Sequence, residues 1–399
     1  MPPTTFRDGR NLPQRLMKRS VVRDIIWLFV ATRLLLMLIT YIAYILLTAA
    51  KYSSTPVDVA ALFSSWNQWD AANYVRIARS GYLPFDIAFF PLFPFLITCI
   101  SHVLGSWSYL LVGTLISNAA LLGLLFIFYQ LTMEAAGDEI AKRTLLYYCI
   151  FPTALFFFAA YNESLYLLFV MGAFLAMHRQ RWWLAGLLGM LASLTRSAGL
   201  LLAIPYLYEL WISREHILAS RRRLLTSTLP ILLLPVGTLI YSIYCWMFFG
   251  SPLAWVTVQQ HSGRHLAWPW VGIWQSIASL FWYRLQLQPF GSSNQMHILI
   301  NLIATLGFIA LIVLGRRKLR VSYTLWMGLF MLYTLLYPAL EKPDVLLSNE
   351  RFVLEMFPAF ITLAILGKQH PRLHQALMLL FPTLLAVLSI GFLMGRWVV

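Results

Sequence analysis

Charge is what this 399-residue chain has least of: 11% of its residues are Asp, Glu, Lys or Arg, against roughly 25% in a soluble protein. That scarcity argues against a water-soluble globular enzyme. Acids are the rarer sign, 15 against 30 Lys plus Arg, for a formal net charge of +15. In a soluble chain the excess would suggest nucleic-acid binding; here it fits basic loops on the cytoplasmic side of a membrane, and no nucleic-acid partner is expected. The three cysteines, Cys99, Cys149 and Cys245, lie in apolar stretches without paired spacing, so neither a disulfide framework nor a thiolate metal site is indicated. A P-loop, a dinucleotide-binding GxGxxG and an HExxH are also missing, which leaves ATP-driven transport and zinc proteolysis without their usual groups. The sequence holds no low-complexity tract, soluble domain or convincing internal repeat.

Apolar residues fill the space: 60% of the chain is hydrophobic and 15% aromatic, with mean hydropathy +0.72. Runs near 20 residues recur throughout, each long enough to cross a hydrocarbon core of about 30 Å as a helix. The expected fold class is therefore all-α and polytopic. Arg7, Arg10, Arg15, Lys18, Arg19 and Arg23 make 1–23 a basic cytoplasmic N-terminus. The run that follows, 24–48, is too long for a signal-peptide core and reads as an uncleaved first span, so that 24–399 forms a single transmembrane domain. Further spans are expected near 107–131, 143–160, 163–178, 182–196, 197–212, 224–249, 294–315, 321–339, 351–367 and 374–395, about 11 in all. The stretch 88–104 is apolar but short, opens with Pro91 and Pro94, and reads as interfacial or re-entrant. Parity then places Lys142, Arg143, Arg179, Arg181, Arg214, Arg221–Arg223, Arg316, Arg317, Lys318, Arg320, Lys368 and Arg372 inside with the N-terminus. If 88–104 crossed and 182–212 were one span, the cations at 142, 143, 179 and 181 would instead face outward. On the preferred topology two long segments lie outside, 49–106 and 250–293, with outer turns at 161–163, 194–199 and 340–350. The spans at 182–196 and 197–212 are too short to cross comfortably, as in helices that border a cavity.

The outer pieces collect the polar residues. The densest group is Trp66-Asn67-Gln68-Trp69-Asp70-Ala71-Ala72-Asn73-Tyr74, followed by Arg76 and Asp86. An acid flanked by Trp at the membrane boundary can work on a lipid-linked substrate, which makes Asp70 the candidate general base. Alternatively Asp70 caps a short interfacial helix over 71–80 and the tryptophans are belt aromatics. Tyr161-Asn162-Glu163-Ser164 puts an acid at a helix junction close to the bilayer, where ionisable groups are expensive; Glu163 can equally favour a helix N-terminus. The glycosylation sequon there is discounted because it sits against the membrane. Arg196, in Thr195-Arg196-Ser197-Ala198-Gly199, and Arg351, in Asn349-Glu350-Arg351-Phe352, are candidate phosphate ligands. Arg351 has an alternative in pairing with Glu350 or Glu355. The loop 250–293 offers His261, Arg264 and His265 among many tryptophans. With Gly263 between the histidines and no adjacent acid, a lipid or sugar groove suits them better than a metal.

The order of these motifs resembles the PIG-V family, the GPI mannosyltransferase 2 group of GT-C membrane glycosyltransferases, and its bacterial relatives. The likeness runs through Trp69-Asp70, Tyr74, Ile77-Ala78, Gly81-Tyr82 and Ala88-Phe89-Phe90-Pro91-Leu92-Phe93-Pro94. It continues through Tyr161 with Glu163-Ser164-Leu165, Leu194-Thr195-Arg196-Ser197 with Gly199, and Arg351-Phe352 with Phe357-Pro358. The acid usual after Gly-Tyr is represented by Asp86, four residues beyond Tyr82. The resemblance implies a GT-C fold whose first outer loop carries the catalytic acid, Asp70, over a lipid-facing cavity. It also implies a polyprenyl-phosphate mannose donor and a glycan or glycolipid acceptor. Inverting transfer at the outer face would use Asp70 as base and Arg351 or Arg196 on the departing phosphate, with Trp69, Asn73, Tyr74, Asp86, Asn162 and Glu163 binding and orienting substrate. No cofactor or metal is called for if an arginine supplies the positive charge. A transporter or flippase, or a non-catalytic subunit handling the same lipid-linked sugars, is the competing class. Compact loops and a C-terminus, Gly395–Val399, without a KDEL-type address favour a prokaryotic plasma membrane over an endoplasmic reticulum location.

Overall fold

The computed structural model describes residues 18–48, 58–105, 108–261, 263–281 and 293–396, and the regular structure among them is helical. Helices α1 (Arg19–Thr48), α2 (Val59–Ser64), α3 (Asp70–Ser80), α4 (Leu92–Val103), α5 (Tyr109–Ala136) and α6 (Asp138–Cys149) come first. Then follow α7 (Glu163–His178), α8 (Trp182–Thr195), α9 (Ala203–Ile212), α10 (Arg214–Leu218), α11 (Arg221–Thr228) and α12 (Leu234–Phe249). The last group is α13 (Ala254–His261), α14 (Pro269–Phe281), α15 (Ser293–Gly315), α16 (Val321–Leu336), α17 (Asn349–Phe352), α18 (Phe357–Gln369) and α19 (Pro371–Leu393).

Among the described residues five stretches are long and apolar enough to cross a membrane: Arg19–Leu46, Tyr109–Ala136, Arg221–Phe249, Gln295–Gly315 and Pro371–Leu393. Asn349–Glu355 and α18 make a sixth if their 87° bend falls within one span. The chain is accordingly an integral membrane protein. The stretches expected to span at 163–178, 182–196, 197–212 and 321–339 form shorter apolar helices, Glu163–His178, Trp182–Thr195, Ser197–Ile212 and Val321–Leu336. The 14 residues of α8 rise only about 21 Å. The expected span at 143–160 is not one helix: α6 ends at Cys149, and Ala154–Phe157 form a separate 3-10 turn. Pro152, which lacks an N–H and crowds the preceding turn, accounts for the break. The stretch expected to lie at the interface forms α4, which packs against α3 and α5.

Close backbone approach holds the short helices in place. A Cβ at Gly237 of α12 would meet the Met190 carbonyl oxygen at 2.3 Å and the Leu194 nitrogen at 2.7 Å, so only glycine lets α12 lie against α8. Around α5, α7, α16 and α18 the interior is aromatic, with Phe128, Phe174 and Phe357 meeting edge to face and Trp326 beside Phe174. Each such pair adds about 0.5–1.5 kcal/mol beyond area burial, which matters in lipid, where apolar burial alone gives little drive for association.

Candidate active site

Four stretches far apart in sequence converge where α3, α7 and α17 begin and α8 ends. Asp70 is the first residue of α3, Glu163 the first of α7, Arg196 follows α8, and Arg351 lies in α17. The Nη1 of Arg351 donates to Asp70 Oδ2 at 2.7 Å, and its Nε stands 3.5 Å from Glu163 Oε1. The Nη1 of Arg196 reaches the same Glu163 oxygen at 3.0 Å and Glu355 Oε1 at 3.0 Å. The result is a chain of alternating charge, Asp70–Arg351–Glu163–Arg196–Glu355. Its three acids differ in burial, the Asp70 side chain being 26% exposed, Glu163 1% and Glu355 0%, with Arg351 at 13% and Arg196 at 19% between them.

Each member is held by its own local structure. The Asp70 carboxylate does not cap α3; Trp69 occupies the cap position without a side-chain bond there, and the Asp70 N–H donates to the Tyr161 hydroxyl at 3.3 Å. Trp69 has φ 52°, a left-handed conformation that costs a bulky residue about 1–3 kcal/mol and sets the direction in which α3 leaves. The Tyr161 carbonyl accepts from Ser117 at 2.6 Å, and Asn118 donates to the Phe158 carbonyl at 2.9 Å, which fixes the non-helical stretch leading into Glu163. Arg196 is extended, φ −154° and ψ 142°, because the chain doubles back over the end of α8. A Cβ at Gly199 would meet Ser193 N at 2.4 Å and the Ala192 carbonyl carbon at 2.5 Å, so this tight return demands glycine. Asn162 accepts from Arg196 at 3.4 Å and donates to the Thr195 carbonyl at 3.1 Å.

Three guanidinium groups surround one ring. Arg196, Arg264 and Arg351 lie 5.4, 5.7 and 5.3 Å from the centroid of Phe352. Arg264 donates to the carbonyls of Tyr337 and Leu347 at 3.1 and 3.0 Å; burial, and after it the charge of Arg351, pulls its pKa down to about 10. Asp70, Glu163 and Glu355 face Arg351 and Arg196, and Asp344 acts electrostatically on Arg264. Such a cluster can hold an anion beside a carboxylate.

Of the other candidates, Trp69 adjoins Asp70 and Tyr74 stands within electrostatic reach of Asp70, Glu163, Arg196 and Arg351, whereas Asp86 and His265 pair elsewhere. Asp86 is fully buried and takes both terminal nitrogens of Arg76, while its Oδ2 also accepts from the Leu83 N–H at 3.1 Å. Arg76 also donates to Asn73 at 3.0 Å, so Asn73, Arg76 and Asp86 form a second polar group farther along α3. Tyr74 is buried against Phe89 and Phe93, and Trp69 is 36% exposed. His265 Nε2 meets Glu341 Oε1 at 2.7 Å, an acid distant in sequence; His261 closes α13, but its side chain lies outside the described residues. Arg351 pairs with Asp70 and Glu163 rather than with its near neighbours Glu350 and Glu355. Glu355 is the cluster member that the sequence pattern pairs with the wrong arginine; its only signal there is an acid in an apolar stretch. An apolar cavity of about 640 Å³ opens beyond the second turn of α3, lined by Ile77, Tyr82, Phe95, Leu194, Tyr241 and Tyr244 among others.

Helical architecture of this kind is that of the GT-C membrane glycosyltransferases. ArnT from Cupriavidus metallidurans, solved bound to undecaprenyl phosphate, is similar with a TM-score of 0.50 and 12% sequence identity, over 92% of this chain and 64% of that one. A family model described as Mannosyltransferase (PIG-V) matches residues 14–285, and the chain belongs to that family. GPI alpha-1,6-mannosyltransferase 2 of Mus musculus is 33% identical over 152 residues, and that of Homo sapiens 31% over 156. Each match covers 36% of this chain and 31% of the relative, so the likeness spans about a third of either protein.

Proposed function

We propose that this protein is an inverting mannosyltransferase, moving a mannosyl group from a polyprenyl-phosphate donor to a glycan or glycolipid acceptor at the outer membrane face. Asp70 Oδ2 on Arg351 Nη1, at 2.7 Å, is the observation that carries this reading. It joins a carboxylate able to take a proton to a guanidinium able to take the leaving phosphate. Arg351 and Arg196 are each anchored to acids through Nη1, and no hydrogen bond to Nη2 is found among the described residues. Those forks suit phosphate oxygens. The apolar cavity beside α3 is of a size to take part of the isoprenoid chain.

In the transfer, the acceptor oxygen forms a bond to the anomeric carbon from the face opposite the phosphate. The carbon–oxygen bond to phosphate breaks, and its electron pair stays on the phosphate oxygen beside the arginines. The acceptor proton passes to Asp70. One displacement inverts the anomeric centre, so a β-linked mannosyl phosphate becomes an α-mannoside. Glu163 and Asn162 hold Arg196, and Tyr161 holds the start of α3, so the groups are oriented before substrate arrives. The family membership and the activity for which the relatives are named support mannose.

The test is to supply purified protein in lipid with polyprenyl-phosphate mannose and a panel of mannoside acceptors, and to read the anomeric configuration of the product by NMR. Acceptor-dependent formation of an α-mannoside is expected. Retention of the β configuration would overturn the single displacement. Movement of donor across the bilayer without a new glycosidic bond would replace the enzyme by a transporter.

A further inference from the structure

We propose that Glu355, acting through Arg196, is the counter-charge that drives the lipid phosphate product out of the site. The inference rests on the glycosyl-transfer reading above. Glu355 ends a single 3-10 turn, Val353–Glu355, and is fully buried; its backbone carbonyl accepts from Trp326 Nε1 at 2.9 Å. Its carboxylate pairs with Arg196 at 3.0 Å and takes no well-formed hydrogen bond among the described residues. Burying a carboxylate so sparsely bonded is costly.

Orientation of Arg196 does not require it. Glu163 and Asn162 already hold the same nitrogen at 3.0 and 3.4 Å, and the guanidinium lies against the rings of Tyr166 and Phe352, 5.8 and 5.4 Å from their centroids. What Glu355 adds is charge: it is the second carboxylate on Arg196 after Glu163, and without it the cluster is one charge more positive.

The reaction makes that difference matter. The donor is a phosphodiester with one negative charge, whereas breaking its bond to the sugar leaves a monoester that carries up to two. The arginines thus hold product more tightly than donor, which is the wrong order for turnover. A buried negative charge on Arg196 weakens both, and weakens the doubly charged product more. Glu355 is therefore a residue acting through another, and its effect has a sign that lost packing cannot imitate.

Glu355→Gln keeps the shape and removes the charge. Inhibition of wild type and variant by polyprenyl phosphate, and direct binding of that lipid to both in nanodiscs, are compared alongside pre-steady-state release. The variant is expected to bind polyprenyl phosphate about tenfold more tightly, to lower the donor KM by a smaller factor, and to show a product burst followed by slow turnover. Should the amide fail to fold, Glu355→Met, also neutral, is read the same way. Unchanged or weaker affinity for polyprenyl phosphate overturns the proposal, weaker binding marking Glu355 as a strut for Arg196. The binding comparison needs no turnover: a wild type that makes no glycosidic bond refutes the transferase reading, while the affinities still judge the charge effect.

Discussion

Replacing Arg351 by Gln removes the group that touches both Asp70 and Glu163. The guanidinium stands 2.7 Å from Asp70 and 3.5 Å from Glu163, and breaking a buried ion pair typically costs 3–5 kcal/mol. Asp70 remains 26% exposed and can regain water, so a loss of about 2–3 kcal/mol in stability is expected. The rate falls further than stability suggests, because the charge building on the departing phosphate loses one of its two forked donors. Removing a preorganised donor of this kind costs roughly 10²–10³ in kcat. Arg351→Lys keeps the charge as a single point, unable to serve the carboxylates and a phosphate together, and is expected to fall between wild type and Gln. The assay is release of polyprenyl phosphate from the mannosyl donor at saturating acceptor, with thermal unfolding measured on the same preparations. A kcat for Arg351→Gln within threefold of wild type, in folded protein, would refute the role given to this arginine.

Gly199→Ala should unfold the return over α8, because its Cβ would meet Ser193 N at 2.4 Å and the Ala192 carbonyl carbon at 2.5 Å. A stability loss of at least about 1–3 kcal/mol is expected, with activity falling as Arg196 moves; a thermal melt and the release assay check both. Asp344 is buried in the turn before α17, and burial pushes its pKa up from 3.8 to about 6. Between these values the folded state binds more protons than the unfolded one, so stability declines as pH rises from about 4 to 6, and the penalty persists above. Asp344→Asn should flatten that slope and add about 2 kcal/mol at pH 7.5; denaturant titrations at both ends of the range would show it, and an unaltered slope would reject it.

Much of this arrangement is legible in the amino-acid sequence. Low charge and long apolar runs lead directly to a helical membrane protein, since backbone groups in lipid must be satisfied within a helix. Asp70, Glu163, Arg196 and Arg351 stand out because ionisable groups beside apolar runs are expensive, and the fold brings all four together. Pairings are another matter. Arg351 has Glu350 and Glu355 close in sequence, yet the bend between α17 and α18 carries it to Asp70, 281 residues away. Asp86 shows no sign in sequence of its bond to Arg76, and Arg264 gives none of its attachment to the carbonyls of Tyr337 and Leu347. Helix length is the other gap: hydropathy marks 143–160 as one span because it does not register that Pro152 divides it. Apolar pattern reports where the chain avoids water, whereas ion pairs and breaks depend on which distant segment arrives beside it.

The account turns on Asp70 as the proton acceptor. The most direct test is acceptor-dependent release of polyprenyl phosphate by Asp70→Asn beside wild type, with donor binding measured in parallel. Asn keeps the size of the side chain and an oxygen for Arg351, but it cannot take the proton. The expected result is donor binding within a fewfold of wild type and turnover reduced by roughly 10²–10⁴. Turnover comparable to wild type would contradict the account and require another base.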